Sequence, residues 1–255
     1  TVQAIALKAS HAVELIESQG VDALRQYLHR QRTEATFRRS PALRGFLTDP
    51  DVIDVERRLA SLELEHPKLA KATEIVREEL ERHPEGRAIV FTQYRQSADR
   101  ILEELERHGG PQVHAARFVG QASHPGDPGM SQAVQTGVLD RFRQGGLNCL
   151  VATSVAEEGL DIPSTDLVVL YEPIPDEIRT IQRRGRTGRA RLGRAVVLIA
   201  EGTRDVGLWR SAVSRERRMA ERLEEIQREI APGAAPSTRT GRSETQRTLM
   251  EYGPL

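Results

Sequence analysis

Between about His66 and Gly202 short apolar, β-branched runs alternate with amphipathic stretches long enough for helices, and that alternation admits few folds. The runs are Ala88 to Phe91, His114 to Val119, Cys149 to Ala152, Leu167 to Leu170 and Ala195 to Ile199. Strands separated by helices of this length predict βα units, hence a mostly parallel sheet flanked by helices. Ligands of such sheets gather at the carboxyl ends of the strands. The informative residues stand there: Thr92, Gln93, Tyr94 and Arg95 follow the first run, and Thr153 and Ser154 follow the third.

The flanking regions differ in texture. Residues 1–65 are helical throughout and predict a small all-α module. Ile5, Leu7, Val13, Leu15 and Ile16 form the apolar set of one helix, and Leu24, Tyr27 and Leu28 that of the next. Gly20 is a helix stop between them. Pro41 fits the first turn of a third helix, and Asp49-Pro50-Asp51 is a turn into a fourth. Beyond Thr203 a charged helix runs to about Ile230 and closes a domain of residues 66–230. Residues 231–255 start with an Ala/Pro/Gly/Ser-rich linker and end in a separate short segment from Ser243.

The formal net charge is zero, so overall charge gives no sign of a polyanionic partner. Lysine occurs only at Lys8, Lys68 and Lys71, and the remaining basic residues are arginines, which suit bidentate contact with phosphate. The single cysteine, Cys149, lies in an apolar run and reads as core, which excludes a disulfide framework or a cysteine zinc site. No stretch has the length of a membrane span, and Thr1 opens no signal peptide; the start reads as an internal cut or a processed end.

The densest chemical signal is Gln182-Arg183-Arg184-Gly185-Arg186-Thr187-Gly188-Arg189. A generic arginine run is a solvated helix face. Here Arg186 and Arg189 are three apart and project to one side of a helical turn, while Gly185 and Gly188 allow close backbone approach. Two guanidiniums so placed can meet the γ-phosphate of a nucleotide held by another domain.

This string resembles motif VI of superfamily 2 helicases. Val151 to Pro163 resembles motif V and Ile89 to Arg95 motif IV, in the family's order. Phe118-Val119-Gly120-Gln121-Ala122-Ser123, the Ser131-Gln132 helix start and Tyr171-Glu172-Pro173 resemble the archaeal helicase-associated endonuclease for fork-structured DNA (Hef) and the Fanconi anaemia group M translocase. The resemblance implies a RecA-like helicase C-terminal domain, the second motor half of an ATP-dependent DNA helicase or translocase acting on forked or branched DNA. In that family Arg186 and Arg189 would be arginine fingers, and Gln182 would orient the γ-phosphate and its attacking water. Gly159 and Asp161 would line the nucleotide's sugar side, with Glu158 in the turn that couples the nucleotide to the track. Thr153 would place its hydroxyl and N–H on a strand phosphate. Thr92, Gln93, Gly120 and Gln121 are further track candidates, for each of which a turn or cap role is the alternative. Residues 1–65 take the place of the family's helical insertion, where Arg30, Arg32, Arg38, Arg39 and Arg44 could contact duplex phosphates or form a solvated surface.

No Gly-Lys pair occurs in the chain, so the loop that cradles ATP phosphates is absent. The one Asp-Glu pair, Asp176-Glu177, opens a helix after Pro175, where acidic residues favour the dipole. ATP and Mg²⁺ would thus be held mainly by an N-terminal RecA-like half supplied in cis or trans, and the chain alone would not hydrolyse ATP. No pair of nuclease carboxylates stands out either. Other readings remain: a noncatalytic DNA- or clamp-binding module, or half of an RNA helicase. The segment Gln246 to Tyr252 resembles a peptide that binds the PCNA sliding clamp, with Gln246 for a polar pocket and Leu249 and Tyr252 for an apolar one. A frayed terminus is the alternative there. The family resemblance places the protein in the cytoplasm, at the nucleoid.

Overall fold

The structure, a computed structural model, describes residues 2–33, 40–123, 127–153, 165–173 and 194–230. It forms two compact units, residues 1–70 and 71–255.

The first unit contains α1 (Val2–Ser18), α2 (Val21–Thr33), α3 (Pro41–Leu47) and α4 (Pro50–Ala60). The starts of α3 and α4 follow from their residues. Ser40 accepts from the Leu43 N–H at 3.2 Å and Asp49 from the Asp51 N–H at 2.9 Å, each ahead of a proline with no N–H to satisfy. Gly20, at φ 96°, turns the chain between α1 and α2, and its N–H closes on Leu15 O at 3.0 Å. Leu15, Leu24, Tyr27, Leu28, Leu43, Phe46, Leu47 and Leu59 make the core. On α1 the expected apolar set is divided. Leu15 is buried and Ile5 half-buried, but Leu7, Val13 and Ile16 are 71%, 47% and 37% exposed, because the 3.6-residue period turns them off the face that Leu15 shares with Ser18.

Arginines in this unit tie helices together. Arg25 donates to Leu59 O at 2.7 Å, near the end of α4, and to Leu62 O at 2.7 Å just beyond it, tying α2 to the end of α4. Arg32 donates to Glu56 and to Leu47 O, both at 2.8 Å, so this guanidinium clamps α2 to α3 and α4 instead of presenting itself to duplex phosphates. Arg44 is exposed, and Arg38 and Arg39 lie outside the described residues.

Past α5 (Pro67–Arg82), the second unit has β1 (Ala88–Phe91), α6 (Arg95–His108), β2 (Ala115–Phe118), α7 (Gln132–Arg143), β3 (Cys149–Ala152), β4 (Leu167–Leu170), β5 (Arg194–Val197) and α8 (Arg204–Ile230). The strands form one parallel sheet in the order β2-β3-β1-β4-β5. The three central strands are buried at every residue. One face of the sheet packs Ile89, Phe91, Phe118, Leu150, Val168 and Leu170 with Leu139 and Phe142 of α7, while α6 lies along β2 and β3. Ser131 caps α7 by accepting from the Val134 N–H at 3.4 Å. Cys149 is fully buried, and burial pushes its thiol up to about 12, so it stays a neutral core group. Among the described residues no helix is long and apolar enough to cross a membrane.

Candidate nucleic-acid interface

Parallel pairing aligns the last residues of all five strands: Phe118, Ala152, Phe91, Leu170 and Val197 share one row. The ladder runs one residue further. Thr153 N donates to Phe118 O at 3.1 Å, Thr92 N to Ala152 O at 3.0 Å, Tyr171 N to Phe91 O at 2.9 Å and Leu198 N to Leu170 O at 2.8 Å. Residues far apart in sequence, Val119 beside Gly120, Thr153, and Thr92 beside Gln93, thus line one carboxyl edge, roughly 19 Å long at the usual strand spacing.

Both threonines are buried. Thr92 is fully buried; its hydroxyl donates to Glu172 at 3.3 Å and accepts from the Tyr94 N–H at 3.4 Å. The same Glu172 oxygen accepts from the N–H of Gln93. Glu172, 4% exposed at the end of β4, therefore fixes the turn between β1 and α6, leaving the Gln93 side chain exposed above it. Sequence reasoning noted Tyr171-Glu172-Pro173 only as a resemblance. The available signal was a carboxylate directly after an apolar strand, which must find donors when buried. Thr153 is 4% exposed where the chain leaves β3, and its N–H is committed to Phe118 O in the extended ladder; of the expected hydroxyl and N–H contacts with a strand phosphate, only the hydroxyl remains.

Beyond β2 the loop of Gly120, Gln121 and Ala122 wraps around Gly129. Gly120 O accepts from Arg95 at 2.9 Å and from Met130 N at 3.0 Å, and Gln135 of α7 donates to Val119 O at 2.8 Å. Gly129 has φ 73°, and a Cβ on it would stand 2.6 to 2.8 Å from the carbonyl oxygens of Gly120, Gln121 and Ala122. Three carbonyls converge there. A planar trans peptide directs each N–H opposite its C=O. The N–H groups of Gln121, Ala122 and Ser123 consequently point away from Gly129, and all three residues are exposed. These N–H groups fan out on the outer side of the loop, where each can donate to a separate acceptor such as a strand phosphate.

Asp127 holds this loop by ion pairs with Arg95 at 3.3 Å and with Arg117, and by accepting from Gly129 N at 2.9 Å; Arg117 also meets Asp99 at 2.7 Å. The Arg117 hydrogen bond, helped by the Gly129 N–H and opposed by burial, brings the Asp127 carboxyl down to about 2. Burial pushes Asp99 the other way. A depressed carboxylate stabilises the fold above its ordinary pKa of about 3.9 and loses that contribution as pH falls toward 2. Asp127→Asn is expected to lower stability at neutral pH by about 1–2 kcal/mol and to flatten the loss between these pH values. Circular-dichroism acid titrations of the two proteins test this; parallel curves would remove Asp127 from the role.

Glu158, Gly159 and Asp161, which follow Thr153 in sequence, lie outside the described residues, as do Gln182, Arg186 and Arg189 between β4 and β5, and Gln246, Leu249 and Tyr252.

Residues 70–191 match the helicase conserved C-terminal domain, and residues 1–66 match an RNA helicase helical bundle. The crystal structure of the Pyrococcus furiosus Hef helicase domain is similar at 46% identity and a TM-score of 0.61, covering 82% of this chain and 42% of that one. A Methanocaldococcus jannaschii protein named as an ATP-dependent RNA helicase is 41% identical over 221 residues, 87% of this chain and 27% of its own length. The mouse Fanconi anemia group M protein homolog is 42% identical over 147 residues, 54% of this chain and 7% of that protein. The chain spans less than half the length of each of these relatives. With the parallel sheet and the helical bundle in place, the chain belongs to the superfamily 2 helicases of the Hef and Fanconi anaemia group M type, carrying their conserved C-terminal domain behind a helical bundle.

Proposed function

We propose that the chain is the second motor domain of an ATP-dependent DNA helicase or translocase that grips forked or branched DNA, in repair or replication restart, through its sugar-phosphate backbone. The observation that carries this reading is the carboxyl edge. There Thr153, the Gln93 side chain and the outward N–H groups after Gly120 lie along one border of the sheet. The Gln93 amide and those N–H groups are exposed donors that suit phosphate, while Thr153, its N–H committed to Phe118 O, offers only its hydroxyl. Thr92, its hydroxyl held by Glu172, supports the turn beneath Gln93 and does not touch the track.

The nucleotide side of the reading comes from family membership. Arg186, Arg189 and Gln182 approach the γ-phosphate, and Gly159 and Asp161, with Glu158, the sugar side of an ATP·Mg²⁺ held mainly by a first RecA-like half in cis or trans. Hydrolysis of that ATP supplies the free energy of stepping. The chain alone, without a phosphate-cradling loop, is inactive. Residues 1–65 add affinity for branched DNA, Gln246, Leu249 and Tyr252 dock on a PCNA-type clamp, and the protein works in the cytoplasm at the nucleoid.

Relatives' names support DNA, with a Sclerotinia sclerotiorum protein named ATP-dependent DNA helicase mph1 at 42% identity over 148 residues. The Methanocaldococcus name favours a second reading, half of an RNA helicase. Anisotropy titration of labelled fork DNA and duplex RNA separates them. Fork binding is expected to be tighter, indifferent to base sequence, and linear in log K against log salt. Thr153→Ala should weaken all DNA sequences equally, about three- to tenfold, with a lower salt slope. Tighter RNA binding would move the protein to the second reading, and base-dependent affinity would remove the backbone-grip reading.

A further inference from the structure

Helix α8 carries a feature that the motor reading leaves unused. Trp209, the only tryptophan in the chain, is half-buried on α8 and lines a surface cavity of about 250 Å³ with Arg210, Val213, Ser214 and Arg217. All five belong to one helix. Val213 stands one turn from the indole and is 41% exposed, so the indole and the isopropyl group form a small apolar floor. Arg210 and Arg217, seven residues apart, form one stripe along the same side of that floor, and Arg217 is steadied by Glu221 at 3.5 Å. Pockets for whole small molecules run from about 300 Å³ upward, so this cavity fits one ring of a longer ligand. The helix itself buries other positions: Asp205 is fully buried and Ala212 is 4% exposed.

The place of α8 says which ligand. Asp205 accepts from Ala200 N at 3.1 Å and its own N–H donates to Thr203 at 3.2 Å, which pins the start of the helix just beyond the carboxyl end of β5. That is the edge that Thr153 and Gln93 also line. Trp209 lies five residues into the helix, about 7.5 Å along its axis from Arg204. An aromatic floor with a stripe of guanidiniums along one side is the chemistry that holds a single-stranded nucleic acid, by stacking one base and pairing the phosphates that run beside it. Duplex bases, already stacked on each other, cannot use it.

We propose that Trp209, with Arg210 and Arg217, is a base-stacking site for single-stranded nucleic acid, the place where an unpaired strand leaving the carboxyl edge is held. This rests on the nucleic-acid reading above and goes beyond it, since that grip needs only phosphates.

The single tryptophan makes the test direct. The 255-residue chain is titrated with end-labelled oligothymidylate and with blunt duplex DNA, following indole emission and label anisotropy together. Oligothymidylate is expected to quench the emission as anisotropy rises, and blunt duplex to raise anisotropy with little quenching. Trp209→Ala should weaken oligothymidylate about tenfold and leave blunt duplex unchanged, while Trp209→Phe, which keeps a stacking ring, should recover most of the loss. Rising anisotropy with flat emission, or equal affinities of Trp209→Phe, Trp209→Ala and the parent, would overturn the stacking site and leave the backbone grip standing. Anisotropy that rises with neither DNA would remove the nucleic-acid reading and this site with it. Quenching of equal size by blunt duplex would also overturn it, because the site would not then distinguish an unpaired base.

Discussion

In an enzyme assembled from this chain and a phosphate-binding first half, Arg186→Ala or Arg189→Ala is expected to lower kcat about 10³-fold or more while DNA affinity stays within a few-fold. The size follows from the chemistry. Charge spreads over the transferred oxygens as the γ-phosphoryl group departs, and a guanidinium that meets them only then lowers the barrier without tightening the ground state. Lysine is not an adequate replacement, since a point charge cannot make the paired, planar contacts of arginine. The isolated chain should show no turnover, so the measurement is DNA-stimulated phosphate release after the first half is supplied in cis or trans. Near-parental kcat in both variants would take Arg186 and Arg189 out of the finger role. A fall in DNA affinity matching the fall in kcat would instead assign them to the track.

What could be read in advance depended on whether the deciding contact was local. The runs Ala88 to Phe91, Cys149 to Ala152 and Leu167 to Leu170 coincide with β1, β3 and β4, because strands buried on both faces leave a continuous apolar signature. The outer strands were less well bounded. His114 to Val119 shortened to Ala115–Phe118, and Ala195 to Ile199 shifted to Arg194–Val197, since pairing partners, not composition, end a strand that has a neighbour on one side only. Thr92 and Arg32 show the same limit among polar residues. Each is a plausible phosphate donor by type, and each is engaged by a carboxylate that only the fold brings near: Glu172 lies 80 residues from Thr92, and Glu56 lies 24 from Arg32. On α1 the apolar residues were visible but their facing was not, because Leu7 and Val13 are apolar without being turned to the core.

Gly129→Ala should be among the most damaging single-methyl changes in the second unit, destabilising it by about 2–4 kcal/mol and weakening DNA binding more than Thr153→Ala does. Asp127-Pro128-Gly129 announces a turn in the sequence, but not what the turn must accommodate. At φ 73° an alanine carries a cost of about 1–2 kcal/mol from its own backbone. The added methyl would then meet three carbonyl oxygens at 2.6 to 2.8 Å. The nearest of them, Gly120 O, cannot simply retreat, because it is held by Arg95 and by Met130 N. Relief must come from moving the loop of Gly120, Gln121 and Ala122, which is the loop proposed to present its N–H groups to a phosphate. Gly145 provides the control: it has φ 80° but nothing within 4 Å of a Cβ, so Gly145→Ala carries the backbone cost without the crowding. Urea unfolding of both variants, read at equal m-values, should leave Gly129→Ala the less stable by about 1–2 kcal/mol, and only Gly129→Ala should lose affinity for fork DNA. Equal destabilisation would show that the three carbonyls yield freely, and unchanged DNA affinity in Gly129→Ala would take the Gln121 to Ser123 N–H groups out of the interface.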